Sequence, residues 1–128
     1  MKKRFLLIDD NPIDLIVNKR IIELADLHVS IKTFNSGKAA LEYIKEASNE
    51  ELPEVILLDI LMPGMNGFEF MEQFACLPFD VKNKIAVFLL SSTIDPGDIT
   101  LADNNPDVIA LLNKPLQSDT LKKHLATS

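Results

Sequence analysis

Cysteine is almost missing from this chain. Cys76 stands alone, so no internal disulfide can form, and no Cys/His spacing of the zinc-binding kind exists. No apolar run approaches the roughly 18 residues of a membrane span, and the N-terminus lacks the apolar core and cleavage site of a secretion signal. Positive charge is in the minority, with 13 Lys and Arg against 19 Asp and Glu. The net charge of −6 leaves no basic face for direct binding of nucleic acid. The one basic run, Lys2-Lys3-Arg4, reads as a solvated edge. Repeats, low-complexity tracts and linkers are lacking too. These absences predict one domain over residues 1–128, in a reducing cytoplasm, with no membrane partner.

What is present is a regular alternation. At 128 residues the chain can bury about two-thirds of its unfolded surface. Short apolar runs at Phe5–Ile8, Val29–Phe34, Val55–Leu58, Ile85–Leu90 and Val108–Leu112 read as strands. Amphipathic stretches separate and follow them, and five helices are predicted. The first opens at Pro12 and carries an apolar stripe of Ile13, Ile16, Val17, Ile21 and Leu24. The second is capped by Ser36 and buries Ala40, Leu41, Ile44 and Ala47. The third presents Phe68, Met71, Phe74 and Ala75, with Phe70 off that face as an exposed partner contact. The last two run from about Pro96 to Ala102 and from Ser118 to Leu125. Strict β/α alternation with right-handed crossovers predicts an α/β, doubly wound parallel sheet with helices on both faces.

Ligands of such sheets bind at the carboxyl ends of the strands. Strand one ends in Asp9-Asp10, strand three in Asp59, strand four in Ser91 and strand five near Lys114. Three acids left bare on one rim repel each other, and a hard cation such as Mg²⁺ relieves this through oxygen ligation. A carboxylate can itself be a nucleophile toward phosphorus, with Lys114 and the Ser91 hydroxyl serving the phosphoryl oxygens. Each piece has a plainer explanation: the acid pair as a helix cap, Asp59 as turn chemistry, Ser91-Ser92-Thr93 as an N-cap, Lys-Pro as a solvated strand end. Their coincidence on one rim is what the plainer explanations do not predict.

Asp9-Asp10, the stretch Asp59-Ile60-Leu61-Met62-Pro63-Gly64-Met65-Asn66-Gly67, Ser91-Ser92 and Lys114-Pro115 together resemble the receiver domain of two-component response regulators. The resemblance spans essentially the whole chain. It implies a flavodoxin-like sheet of strand order 2-1-3-4-5 and a phosphorylation-dependent signalling switch. By that resemblance Asp59 is the phosphoacceptor, and Asp9, Asp10, Asp59 and the Leu61 backbone carbonyl bind Mg²⁺. Lys114 and Ser91 hold the phosphoryl group, and Lys114-Pro115 is a cis bond. Implied partners are a histidine kinase or histidine phosphotransfer protein and a downstream effector protein. The chain would catalyse only its own phosphorylation and dephosphorylation. The expected conformational readout is the face of strand four, the helix after it, and strand five.

Leu111 departs from the family, which commonly has an aromatic residue three positions before the lysine. That keeps a second reading open: a pseudo-receiver, an interaction module that is never phosphorylated. A phosphatase of the haloacid-dehalogenase type needs a second Asp two residues after the nucleophile, where this chain has Leu61. A flavodoxin needs a hydroxyl-rich loop after strand one, which is missing. His28 and His124 are expected on the surface, Cys76 as semi-buried filler, and Phe79 with the other Phe residues as core or flank packing.

Overall fold

The structure, a computed structural model, describes residues 3–25, 28–93 and 95–127. Lys2 of the basic run lies outside these residues. Elements follow in the order β1 (Lys3–Ile8), α1 (Pro12–Leu24), β2 (Val29–Phe34), α2 (Gly37–Glu46), β3 (Val55–Asp59) and α3 (Gly67–Phe74). Then come α4 (Phe79–Lys82), β4 (Ala86–Ser91), α5 (Pro96–Asp103), β5 (Val108–Asn113) and α6 (Ser118–Thr127). The strands pair in parallel in the order β2-β1-β3-β4-β5. That is the predicted doubly wound arrangement.

Alternation along each strand divides the interior into two layers, since successive side chains point to opposite faces. Leu6, Ile8, Ile56, Leu58, Val87 and Leu89 point to the face covered by α2 and α3. Phe5, Leu7, Val55, Leu57, Phe88 and Leu90 point the other way, against Ile22 of α1 and Leu121 of α6. All five β3 residues are buried, as a central strand covered on both faces requires.

Two expectations about helix faces fail. On α1 the predicted apolar stripe points mainly outward: Ile13 and Ile16 are 69% exposed, Leu24 68% and Val17 40%. The helix docks instead through Asn18 and Ile22, with Leu15 and Ile21 partly buried beside them. Asn18 reads as polar exterior only until its partner is known. Its Oδ1 accepts the Leu116 N–H at 3.1 Å, from a residue 98 positions along the chain.

On α3 the buried set is Gly67, Phe70, Met71 and Phe74, spaced i, i+3, i+4, i+7. Phe70 is therefore core, fully buried and 6.4 Å from the Phe74 ring, and not an exposed contact. The helix between α3 and β4 was not foreseen, because four residues are too few to display a period. Its Phe79 is 72% exposed and packs in neither core. Cys76 is exposed as well. His124, expected on the surface, is half-buried with its ring edge-on to Phe88 at 5.6 Å.

Candidate functional site: an acidic pocket closed by a lysine

Local chemistry explains why the acids face the pocket. Asn11, not either aspartate, caps α1: its Oδ1 accepts from the backbone N–H groups of Ile13 (2.9 Å) and Asp14 (3.3 Å). Asp9 is thereby spared the cap, and it accepts the Asn11 N–H on Oδ1 at 2.9 Å. Its own N–H donates to the Phe34 carbonyl, which fixes the end of β1 against β2. Asp59 closes β3. The Ile60 N–H behind it donates to the Leu90 carbonyl of β4 at 3.0 Å.

The loop from Ile60 to Gly67 folds back tightly over this point. Gly64 sits at φ +82°, in the left-handed region that glycine adopts without strain. The Gly67 N–H donates to the Ile60 carbonyl at 2.8 Å. A Cβ at Gly67 would lie 2.9 Å from Ile60 Cα and 3.0 Å from the Asp59 carbonyl oxygen. Only glycine lets the loop approach the β3 terminus so closely.

One ligand oxygen from each of Asp9, Asp10 and Asp59 can be chosen so that all three lie within 4.8 Å of one another. Asp9 and Asp59 are buried, whereas Asp10 is exposed at the mouth. The donors are all hard oxygens, and two of them sit in a protected rim. That set fits a small divalent cation such as Mg²⁺ and no soft metal.

Lys114 reaches in from the end of β5, with the predicted cis bond to Pro115 behind it. Its Nζ lies 3.0 Å from Asp9 Oδ2, 3.3 Å from Asp59 Oδ1 and 2.7 Å from Asp14 Oδ2. Its backbone N–H donates to the Ser91 carbonyl, tying β5 to β4 at the same rim. The Ser91 hydroxyl is buried and donates to the Thr93 carbonyl at 2.7 Å, while accepting the Thr93 N–H at 3.2 Å. It does not cap α5, a role Asp95 takes through its bond from the Asp98 N–H.

These distances perturb the titrating groups. Burial first, then the neighbouring Asp9 charge, push the Asp59 carboxyl up to about 6, against the opposing pull of Lys114. For Lys114, burial is the largest influence and acts downward. Hydrogen bonds to Asp14 and Asp9 and the charges of Asp59 and Asp9 together outweigh it, and its pKa lies above the ordinary lysine value. At neutral pH the pocket therefore holds a mostly ionised Asp59 and a firmly charged lysine.

All of Asp9, Asp10, Asp59, Ser91 and Lys114 meet at the carboxyl edge of the sheet, as expected. Leu61, two residues past Asp59, is 64% exposed. Leu111 is half-buried, packed against the α2/α3 layer. Two contributors were missed, Asp14 and Asn18. The available signal was their spacing: two polar residues one helical turn apart in α1 share a face.

Fold and pocket define a doubly wound α/β domain whose acid cluster is bridged by one lysine. Residues 5–126 match the family described as the response regulator receiver domain, and the chain belongs to that family. It is similar to a two-component response regulator from Cytophaga hutchinsonii, at 34% identity and TM-score 0.92 over 99% of this chain and 97% of that one. A response regulator receiver protein from Dyadobacter fermentans is 38% identical, at TM-score 0.84, over 96% of this chain and 98% of that one. Protein PilH of Pseudomonas aeruginosa is 28% identical over 120 residues, covering 94% of this chain and 92% of PilH. Receiver domains are signalling domains of two-component systems, not enzymes that turn over a free substrate. Among the described residues no helix is long and apolar enough to cross a membrane.

Proposed function

We propose that this chain is a phosphorylation-dependent switch in which the Asp59 carboxylate accepts a phosphoryl group. The donor is a phosphohistidine of a histidine kinase or phosphotransfer protein. An Asp59 oxygen bonds to phosphorus, and the bond from phosphorus to the donor nitrogen breaks. Water later cleaves the acyl phosphate and restores the carboxylate. Asp9, Asp10 and Asp59, with the Leu61 carbonyl, are the residues that would hold Mg²⁺. When bound, Mg²⁺ supplies neutralisation of the charge on the transferring group.

The chain's own residues do the rest. Asp59 is ionised at neutral pH and buried, so its oxygen is available and poorly hydrated. Lys114 is within one small shift of any oxygen attached to Asp59 and offers it a charge-assisted bond. For Ser91 to donate to that oxygen, its proton must turn away from the Thr93 carbonyl. That exchange would loosen the turn after β4, and through it α5 and the exposed side of β5, where an effector protein would read the change. The exposed Ile13 and Ile16 of α1, beside the acid cluster, give a phosphodonor protein an apolar surface to rest on.

The observation that carries this reading is the meeting of three carboxylates within 4.8 Å, with an ammonium spanning Asp9 and Asp59. Leu111 supports the alternative of an unphosphorylated interaction module. Intact mass after incubation with acetyl phosphate and Mg²⁺ separates the two. A gain of about 80 Da, one phosphoryl group, is expected for the wild type and not for Asp59→Asn. An unmodified wild type would favour the interaction module.

A further inference from the structure

Lys114 has one more anionic partner than its place beside Asp59 requires. An ammonium carries three N–H donors, and three carboxylates surround this one: Asp14 at 2.7 Å, Asp9 at 3.0 Å and Asp59 at 3.3 Å. The nearest, Asp14, belongs to neither the strand ends nor the acid cluster. One turn further along α1, Asn18 accepts the N–H of Leu116, two residues beyond the lysine. Helix α1 thus grips the Lys114 segment twice, by side chain and by backbone.

Two of the Lys114 donors are hydrogen-bonded, to Asp14 and Asp9, and Asp59 faces the ammonium as an ion pair. A phosphoryl oxygen on Asp59 that draws the ammonium toward itself therefore competes with those two carboxylates. Asp14 is the partner that leaves most cheaply. Its side chain is 35% exposed, against 3% for Asp9 and 5% for Asp59. Water can take over the hydrogen bonding of a half-exposed carboxylate, whereas a buried one would be stranded.

We propose that Asp14 is a positioning residue that holds the Lys114 ammonium in the unphosphorylated protein and yields it to the phosphoryl group. It thereby sets how readily the phosphorylated state is populated. This rests on the phosphoacceptor reading of Asp59. Asp14 competes with the phosphoryl oxygens for one cation, so its loss favours phosphorylation. The competing pair is partly solvated, and the gain should be modest, about two- to fivefold in the ratio of phosphorylated to unphosphorylated protein.

Two measurements test it on the full chain. At a sub-saturating acetyl phosphate concentration with Mg²⁺, intact mass should show that ratio two to five times higher in Asp14→Asn than in the wild type. Asp14→Glu, which keeps the anion within reach, should return close to wild type. Without metal or phosphodonor, the Lys114 ammonium resonance of Asp14→Asn should shift and its hydrogen exchange should quicken, which a general loosening of α1 would not confine to that signal. A wild type that is phosphorylated alongside an Asp14→Asn that matches it or falls below it overturns the inference and leaves the Asp59 reading standing. An unchanged ammonium signal overturns it too. A wild type that takes up no phosphoryl group removes both.

Discussion

Replacing Asp59 by Asn should stabilise the metal-free protein at neutral pH, although it removes a partner of Lys114. Burial and the Asp9 charge raise the Asp59 carboxyl from 3.8 to about 6, with the attraction of Lys114 already included. Keeping the group ionised at pH 7 therefore costs about 1.4 kcal/mol for each pH unit of that rise, on the order of 2–3 kcal/mol at most. Asn is neutral and nearly isosteric, and its Oδ1 can still accept from Lys114. A raised folded-state value means that this contribution to stability is fully present below pH 3.8 and is lost as pH rises through about 6. The Asn variant and the wild type should therefore be similar near pH 4 and diverge by pH 7. Urea unfolding in the presence of a chelator reads the gap, and for a chain of this size it corresponds to roughly 5 °C or more in Tm. If Mg²⁺ binds the native wild type as proposed, saturating Mg²⁺ should close the gap by mass action, about 2.7 kcal/mol at 100 times Kd. A variant less stable than wild type at pH 7, or a gap unchanged between pH 4 and pH 7, would refute the electrostatic reasoning.

Three further outcomes are expected. Asn18→Ala leaves the buried Leu116 N–H without its acceptor and should cost about 1–3 kcal/mol in urea unfolding, with the m-value unchanged. Gly67→Ala drives a methyl into the backbone at Ile60 and Asp59, so it should destabilise by about 1–3 kcal/mol and weaken Mg²⁺-dependent stabilisation by displacing the β3 terminus. The exposed, apolar Leu61 cannot orient an attacking water, so the phosphoryl group should outlast seconds in a decay assay. Leu61→Asn should shorten its lifetime several-fold, and an unchanged lifetime would show that position 61 has no part in water access.

Fold and site were legible in the sequence to different depths, for physical reasons. Strands covered on both faces must be continuously apolar, so Val55–Leu58 announced itself and Asp59 at its end was conspicuous. Strand ends in a parallel sheet share one edge, which brought Asp9, Asp10, Ser91 and Lys114 to Asp59 without knowledge of any contact. Helix faces were less legible. α1 carries more apolar residues than its buried side needs, and its true contact line runs through Asn18, whose justification lies at Leu116. On α3, Phe68 and Phe70 are equally apolar, and the phase that buries Phe70 is the one that sets Gly67 against the backbone at Ile60. Asp14 looked like an ordinary acid in a first helical turn. Its meaning depends on the exact reach of Lys114, which no local pattern records.

Peptide mapping after borohydride reduction tests the central claim most directly. An acyl phosphate is reduced to the alcohol, so a phosphorylated aspartate becomes homoserine and is marked at its position in the chain. Treatment with acetyl phosphate and Mg²⁺ followed by borohydride should convert Asp59 alone, and a chelator should abolish the conversion. Homoserine at Asp9, Asp10 or Asp14 instead, or an unaltered Asp59 in a folded, Mg²⁺-containing sample, would contradict it.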